Sequence, residues 1–182
     1  GAEPADDQAE TEARENPYRG TDDANADLLF GLHGADIRFC PPWDKWLLWT
    51  GSYWNIDERL DIEKRAADVP KMIRAQAASF TQRRSAGLQR IAEMQNQFPL
   101  PPEYSVLRAE QQEWEAKAEY LLKLAGKLEN TAKRASMLTA TRHKVVVHHS
   151  ELDRSPFLLN TRNGTVDLST GQARAHSRAD LL

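Results

Sequence analysis

The 182-residue sequence contains one cysteine and no apolar run long enough to cross a bilayer. Cys40 cannot form a disulfide within the chain, which favours a reducing compartment and a small buried side chain over a nucleophile. A membrane helix needs about 20 consecutive apolar residues, so we expect no membrane span. The start lacks the basic and apolar regions of a secretory signal. These absences predict a cytoplasmic protein.

Motifs for catalysis are also lacking. The phosphate-binding pattern G-x-x-x-x-G-K-[ST] does not occur, because Gly126-Lys127 is followed by Leu128 inside a helical repeat. The acidic pairs Asp6-Asp7 and Asp22-Asp23 lie in or beside an acidic N-terminal segment, and no paired acidic strand of the kind that holds a catalytic metal is found. We therefore expect no catalytic residue and no cofactor on this chain.

Three histidines stand close together, but they lack partners at zinc-binding spacing. His143 is separate from the adjacent pair His148 and His149. Neighbouring side chains on a strand point to opposite faces, so we expect His148 and His149 to point apart. The sequence predicts no metal site.

Charge is distributed unevenly along the chain, although the net charge is only −3. Residues 1–30 hold nine acidic and two basic residues, and 1–21 are predicted to form a disordered acidic leader before a domain at 22–182. Basic residues dominate 62–90, with seven bases and two acids, and 131–149, with four bases and no acid. These basic segments are either solvated helix faces or phosphate-binding surfaces.

The N-terminal half predicts a helix followed by small strands. Thr21 precedes a helix at 24–33, with Leu28, Leu29 and Leu32 on one side, and Gly34 ends it. A strand at 37–40 and an aromatic hairpin around 50–52 follow. Four of the five tryptophans lie between residues 43 and 54. They form either a small β core, which we favour, or a surface that stacks nucleic-acid bases.

Long helices occupy the middle of the sequence. An apolar stripe predicts helix over 57–98, with Pro70 either kinking it or opening a new helix. A second stripe predicts helix over 103–129 and includes Gln111, Trp114 and Leu121, so the two helices should pair antiparallel and bury Trp114. A shorter helix is expected at 132–143, and a strand at 145–147. The predicted fold is α+β, mainly α, a helical hairpin with small β-hairpins near both ends of the chain.

The last third contains a dense turn pattern, P-F-L-L-N-T-R-N-G-T-V-D-L-S-T-G-Q, over residues 156–172. Asn163-Gly164 predicts a tight hairpin turn with at least one positive φ. Gly171 is placed for a left-handed residue in a second turn. Asp167 suits a turn-stabilising hydrogen bond better than a catalytic role.

This pattern resembles the end of the helical domain, poxvirus-type N-terminal-like, that precedes a superfamily 3 helicase in phage and plasmid primase–helicases. A weaker match, W-D-K-W-L-L-W-T-G-S-Y-W at 43–54, is similar to an aromatic hairpin in the same family. Together the matches bracket about residues 22–182. No sequence motif of this family is recognised between about residues 80 and 115.

The resemblance implies a non-catalytic domain that connects primase to helicase and contacts single-stranded or forked DNA in the cytoplasm of a bacterial host. ATP and Mg²⁺ would then belong to a downstream helicase domain, and a homo-oligomer could form through that helicase. The alternative is a helical oligomerisation or protein-interaction module without DNA affinity. The candidate nucleic-acid-binding residues are Lys71, Arg74, Arg83, Arg84, Arg90, Lys133, Arg134, Arg142 and Lys144.

Overall fold

A computed structural model describes residues 16–182, which form two compact units. The first unit combines residues 16–66 with 134–182, and the second contains 67–133. Most of the leader predicted at 1–21 lies outside the described residues. Its last part is described, and there Arg19 lies 3.7 Å from Asp27. The predicted class, mainly α with small sheets near both ends, is confirmed.

The first unit begins with helix α1 (Asp22–His33), where the sequence predicted a helix. The side-chain oxygen of Thr21 accepts a hydrogen bond from the amide of Ala24, which satisfies one free donor at the helix start. Leu29 is fully buried, but Leu32 is 41% exposed, so the apolar side of this helix is narrower than predicted.

A three-stranded antiparallel sheet follows, made of β1 (Ile37–Cys40), β2 (Lys45–Trp49) and β3 (Trp54–Ile56) in that order. The predicted aromatic hairpin is confirmed, with Gly51 at φ +101° in its turn. The buried cluster on this sheet is formed by Cys40, Leu47, Trp54 and Val147. Cys40 is therefore the small buried side chain that the sequence predicted.

The segment predicted as a strand at 145–147 runs parallel to β1 through a single bridge. The amide of Phe39 donates to the carbonyl of Val145, and the amide of Val147 donates to the carbonyl of Phe39, both at 2.9 Å. Val145 and Val147 are buried, whereas Val146 is 54% exposed. A short extended segment thus covers the free edge of β1.

Helix α2 (Asp61–Ala66) also belongs to the first unit and begins four residues later than predicted. Asp57, just before it, accepts hydrogen bonds from the amides of Asp61 and Ile62, each at 2.9 Å. These hydrogen bonds cap the first amides of the helix, so the helix begins at Asp61.

The C-terminal part contains helix α5 (Thr131–Thr141) and a second antiparallel sheet with strand order β4 (Leu158–Thr161), β5 (Gly164–Asp167) and β6 (Gln172–Arg174). The side-chain Nδ2 of Asn160 donates to the carbonyl of Ser52, which joins this sheet to the first hairpin. The amide of Trp54 donates to the carbonyl of Leu182 at 2.8 Å. These hydrogen bonds join the two separate stretches of sequence that form the first unit.

The tight turn lies one residue earlier than predicted. Thr161 pairs with Gly164, so the two turn residues are Arg162 and Asn163, and Gly164 is the first residue of β5. Gly164 has a φ of +157°, so the positive φ predicted for Asn163-Gly164 is confirmed. A Cβ atom there would lie 2.3 Å from the carbonyl oxygen of Arg174. Glycine is therefore needed for close approach to β6. The second turn is as predicted, with Gly171 at φ +71°.

The second unit is built on the helices α3 (Asp68–Met94) and α4 (Glu103–Leu128). The predicted 57–98 helix is interrupted after Ala66, and Pro70 lies in the first turn of α3, where its missing amide costs no hydrogen bond. Cross-helix ion pairs join residue 74 to 129 and residue 84 to 115, so the two helices are antiparallel, as predicted.

The interior of this helical hairpin follows the predicted stripes, with one exception. Ile73, Ala77 and Ile91 from α3 are buried, as are Leu121 and Leu128 from α4. Trp114, however, is only half-buried, so the prediction of a core tryptophan there was wrong. Because its side chain is large, tryptophan is rarely buried completely.

Gln111 is a buried polar residue inside the hairpin, 5% exposed and packed against Gly87. Neither its side-chain nitrogen nor its oxygen makes a hydrogen bond among the described residues. A buried amide without partners costs about 1–3 kcal/mol, so Gln111→Met, of similar shape, should raise the free energy of unfolding by about that amount. Urea unfolding measures the change, with the exposed Gln112→Met as control. Destabilisation by Gln111→Met would show that the amide does have partners.

None of the helices in residues 16–182 combines the length and apolar character that crossing a membrane requires.

Candidate nucleic-acid interface

The nine predicted basic residues are divided between the two units. The second unit holds Lys71, Arg74, Arg83, Arg84, Arg90 and Lys133, and the first holds Arg134, Arg142 and Lys144. The sequence grouped 62–90 and 131–149 as two continuous basic segments. In the fold each segment crosses a unit boundary, so its members do not all belong to one unit.

Three of these cations in the helical hairpin form ion pairs. The pairs are Lys71 with Asp68, Arg74 with Glu129, and Arg84 with Glu115. The hydrogen bond that Arg74 donates to the carboxylate of Glu129 raises the pKa of Arg74 above its ordinary value. A carboxylate beside a guanidinium cancels much of its field, so these side chains attract a phosphate less than their number suggests.

The three predicted cations of the first unit are paired as well. Arg134 lies 3.8 Å from Glu63, Arg142 lies 3.3 Å from Asp44, and Lys144 lies 2.7 Å from Asp27. Arg142 also covers the ring of Phe39, with 4.5 Å between its guanidinium carbon and the ring centre. These contacts give the three residues a structural role in the unit.

Arg83 and Arg90 differ from the others, because no carboxylate in residues 16–182 lies within ion-pair distance of either. Both are exposed, and Arg83 lies 5.8 Å from the ring centre of Phe80. Seven residues are two turns of helix, so the two arginines share one flank of α3, about 10 Å apart along the axis. Arg74, nine residues before Arg83, lies on the opposite flank, so a single face carrying all these cations is not formed.

The tryptophans of residues 43–54 differ in how deeply they are buried. Trp54 is 8% exposed, and Trp49 packs on the same cluster with 5.6 Å between the two ring centres. Arg38 covers the ring of Trp54 at 4.7 Å. Trp43, in contrast, is 43% exposed on a short 3₁₀ turn at Pro41–Trp43. Most of the cluster is core, as favoured, and Trp43 is a surface residue.

Two predictions about single side chains have different outcomes. Asp167 stabilises its turn as predicted, because its carboxylate accepts hydrogen bonds from the amide and hydroxyl of Ser169, which lower its pKa. His148 and His149 do not point apart, since their ring centres are 4.2 Å apart. The reason is that a 3₁₀ turn (His149–Glu151) begins there instead of a strand. No group of three potential metal ligands occurs in the described part of the chain.

The structure thus defines, over the described residues, a mainly helical domain with two small sheets, on which most of the candidate cations lie beside carboxylates and Arg83 and Arg90 do not. The family model described as D5 N terminal like matches residues 26–182, and the chain belongs to that family. The resemblance drawn from the sequence is confirmed. The family points to phage and viral replication proteins and is consistent with a primase- or helicase-associated domain. Neither the curated proteins nor the solved structures contain a match to this chain.

Proposed function

We propose that this domain connects the primase and helicase parts of a phage- or plasmid-type replication protein and contacts single-stranded or forked DNA between them. ATP and Mg²⁺ would serve the helicase part, which could also bring copies of the protein together. The protein would act in the cytoplasm of the host cell.

The observation that carries the DNA contact is the unpaired state of Arg83 and Arg90 on one flank of α3. Two free guanidinium groups about two helical turns apart can each donate hydrogen bonds to a phosphate without first losing a carboxylate. Their common flank allows one strand to contact both. The other candidates, which include the cations paired with carboxylates, would add a weaker, general attraction.

Removing the two free arginines should weaken DNA binding more than removing paired cations does. We expect Arg83→Ala combined with Arg90→Ala to reduce affinity for a single-stranded or forked oligonucleotide at low salt by roughly a hundredfold or more, since each of the two charged hydrogen bonds contributes about 1.5–3 kcal/mol. Fluorescence anisotropy of a labelled oligonucleotide measures the change.

The matched control is Lys71→Ala combined with Arg74→Ala, which removes the same charge from the same helix. Because Asp68 and Glu129 already pair with these residues, the control should lose much less affinity. Equal losses in the two double variants would mean that net charge alone, and not the flank of α3, governs binding.

A protein-interaction module without DNA affinity is the second candidate, and a groove on the hairpin favours it. This groove has a volume of about 510 Å³ and is lined by Ala77, Ala78, Thr81, Ser85 and Leu122, among others. Leu122 is 50% exposed, and two other apolar residues of α4, Val106 and Tyr120, are exposed to a similar extent. Absence of any shift with single-stranded or forked DNA at low salt would favour this candidate.

A further inference from the structure

An exposed group of aromatic rings lies in the first unit, outside the basic residues discussed above. Trp43 stands 5.8 Å from His149, ring centre to ring centre, with 32° between the ring planes. His149 stands 4.2 Å from His148, at 39°. We call Trp43, His148 and His149 the aromatic step, because the three rings follow one another at shallow angles.

The fold builds this step from residues more than a hundred positions apart. The bridge between Phe39 and Val146 runs parallel, so the chain leaving Val147 emerges beside the chain leaving β1. The turn at Pro41–Trp43 and the turn at His149–Glu151 are thereby placed next to each other. Ser150 and Glu151 fix the histidine side of the step. The side chain of Ser150 lies 2.7 Å from the ring nitrogen of His148, and Glu151 accepts from the His148 amide.

The step remains open to solvent although its rings contact one another. Trp43 is 43% exposed, and both histidines are exposed. Packing in the core explains why Trp49 and Trp54 contact each other. It does not explain the contacts of the aromatic step, because those rings are exposed. The residues that follow Trp43 in the chain are Asp44, which is paired with Arg142, and Lys45, which is exposed. Attraction at this surface therefore depends on ring faces more than on net charge.

We propose that the aromatic step binds the unpaired bases of single-stranded DNA by stacking, with Trp43 as the principal contact. This proposal rests on the proposed function, to which it adds a base-contacting site separate from the phosphate contacts of Arg83 and Arg90. Flat aromatic side chains on a surface accept any base, because every base has a π face. The site would thus hold single strands without sequence preference and would not hold a duplex, whose bases are already stacked.

The test compares a single-stranded oligonucleotide carrying bases with an abasic strand of the same length and charge, using the full chain. The unaltered protein should prefer the strand with bases by roughly tenfold, a typical effect of stacking one base. Trp43→Ala should reduce that preference nearly to one, leaving affinity for the abasic strand and the salt dependence unchanged. Trp43→Phe should retain part of the preference, which separates stacking from a general disturbance of the fold.

The control is Tyr53→Ala, since Tyr53 is similarly exposed, at 47%, on the hairpin of the same sheet. It should leave the preference for bases intact. If Trp43→Ala keeps the full preference while the arginine double variant loses affinity, the stacking proposal is wrong and the phosphate contact stands. If the unaltered chain binds neither strand at low salt, both proposals are overturned.

Discussion

Trp54→Ala is expected to destabilise the first unit by about 3–5 kcal/mol, the usual cost of removing a buried tryptophan from a core. Its ring packs in the cluster with Cys40, Leu47 and Val147, and its indole nitrogen donates to the carbonyl of Arg178 at 3.0 Å. The substitution would leave a large cavity, and the carbonyl of Arg178 in the C-terminal segment would lose its hydrogen bond from the indole.

Thermal or urea unfolding followed by circular dichroism measures this effect, and Trp43→Ala is the matched control. Both variants lose one indole, but Trp43 is 43% exposed, so its loss should cost far less. Equal costs for the two tryptophans would contradict the division of the cluster into core and surface.

Gly164→Val should destabilise the protein by about 1–3 kcal/mol, because added atoms in a packed site force backbone shifts. The new Cβ would lie 2.3 Å from the carbonyl oxygen of Arg174, which belongs to the backbone and has little room to move. The strain would fall on the pairing of β5 with β6. The same unfolding measurement detects it.

Gly171→Val tests the neighbouring turn as a comparison. No atom lies within 4 Å of a Cβ at Gly171, so any cost there comes from its left-handed φ of +71° alone. The expected difference is in hydrogen exchange. Gly164→Val should speed exchange of the β5 and β6 amides, whereas Gly171→Val should affect only the turn. Unchanged exchange in β6 with Gly164→Val would contradict the close approach of these strands.

Local signals in the sequence predicted the elements well, because they report on residues close in the chain. The apolar stripe over 103–129 predicted α4 to within one residue. The hairpin turn was misplaced by one residue for a long-range reason. The requirement for glycine at position 164 comes from Arg174 on β6, which no local pattern reveals.

The candidate interface was harder to predict, because a charged residue's partner can be far away in sequence. Arg74 pairs with Glu129, which lies 55 residues later in the sequence, although most charged residues near Arg74 in the sequence are basic. The number of basic residues in a segment could not show which of them pair with a carboxylate and which, like Arg83 and Arg90, do not. Trp43 and His149 are likewise joined only through the bridge of Val146 to β1.

The salt dependence of binding to a forked oligonucleotide tests the proposed DNA contact most directly. In a plot of log affinity against log salt, each phosphate held on a single strand contributes a slope of about −0.7. We predict measurable binding at low salt and a slope shallower by about 1.4 when Arg83 and Arg90 are both alanine. No binding by the unaltered chain, or an identical slope in the double variant, would contradict it.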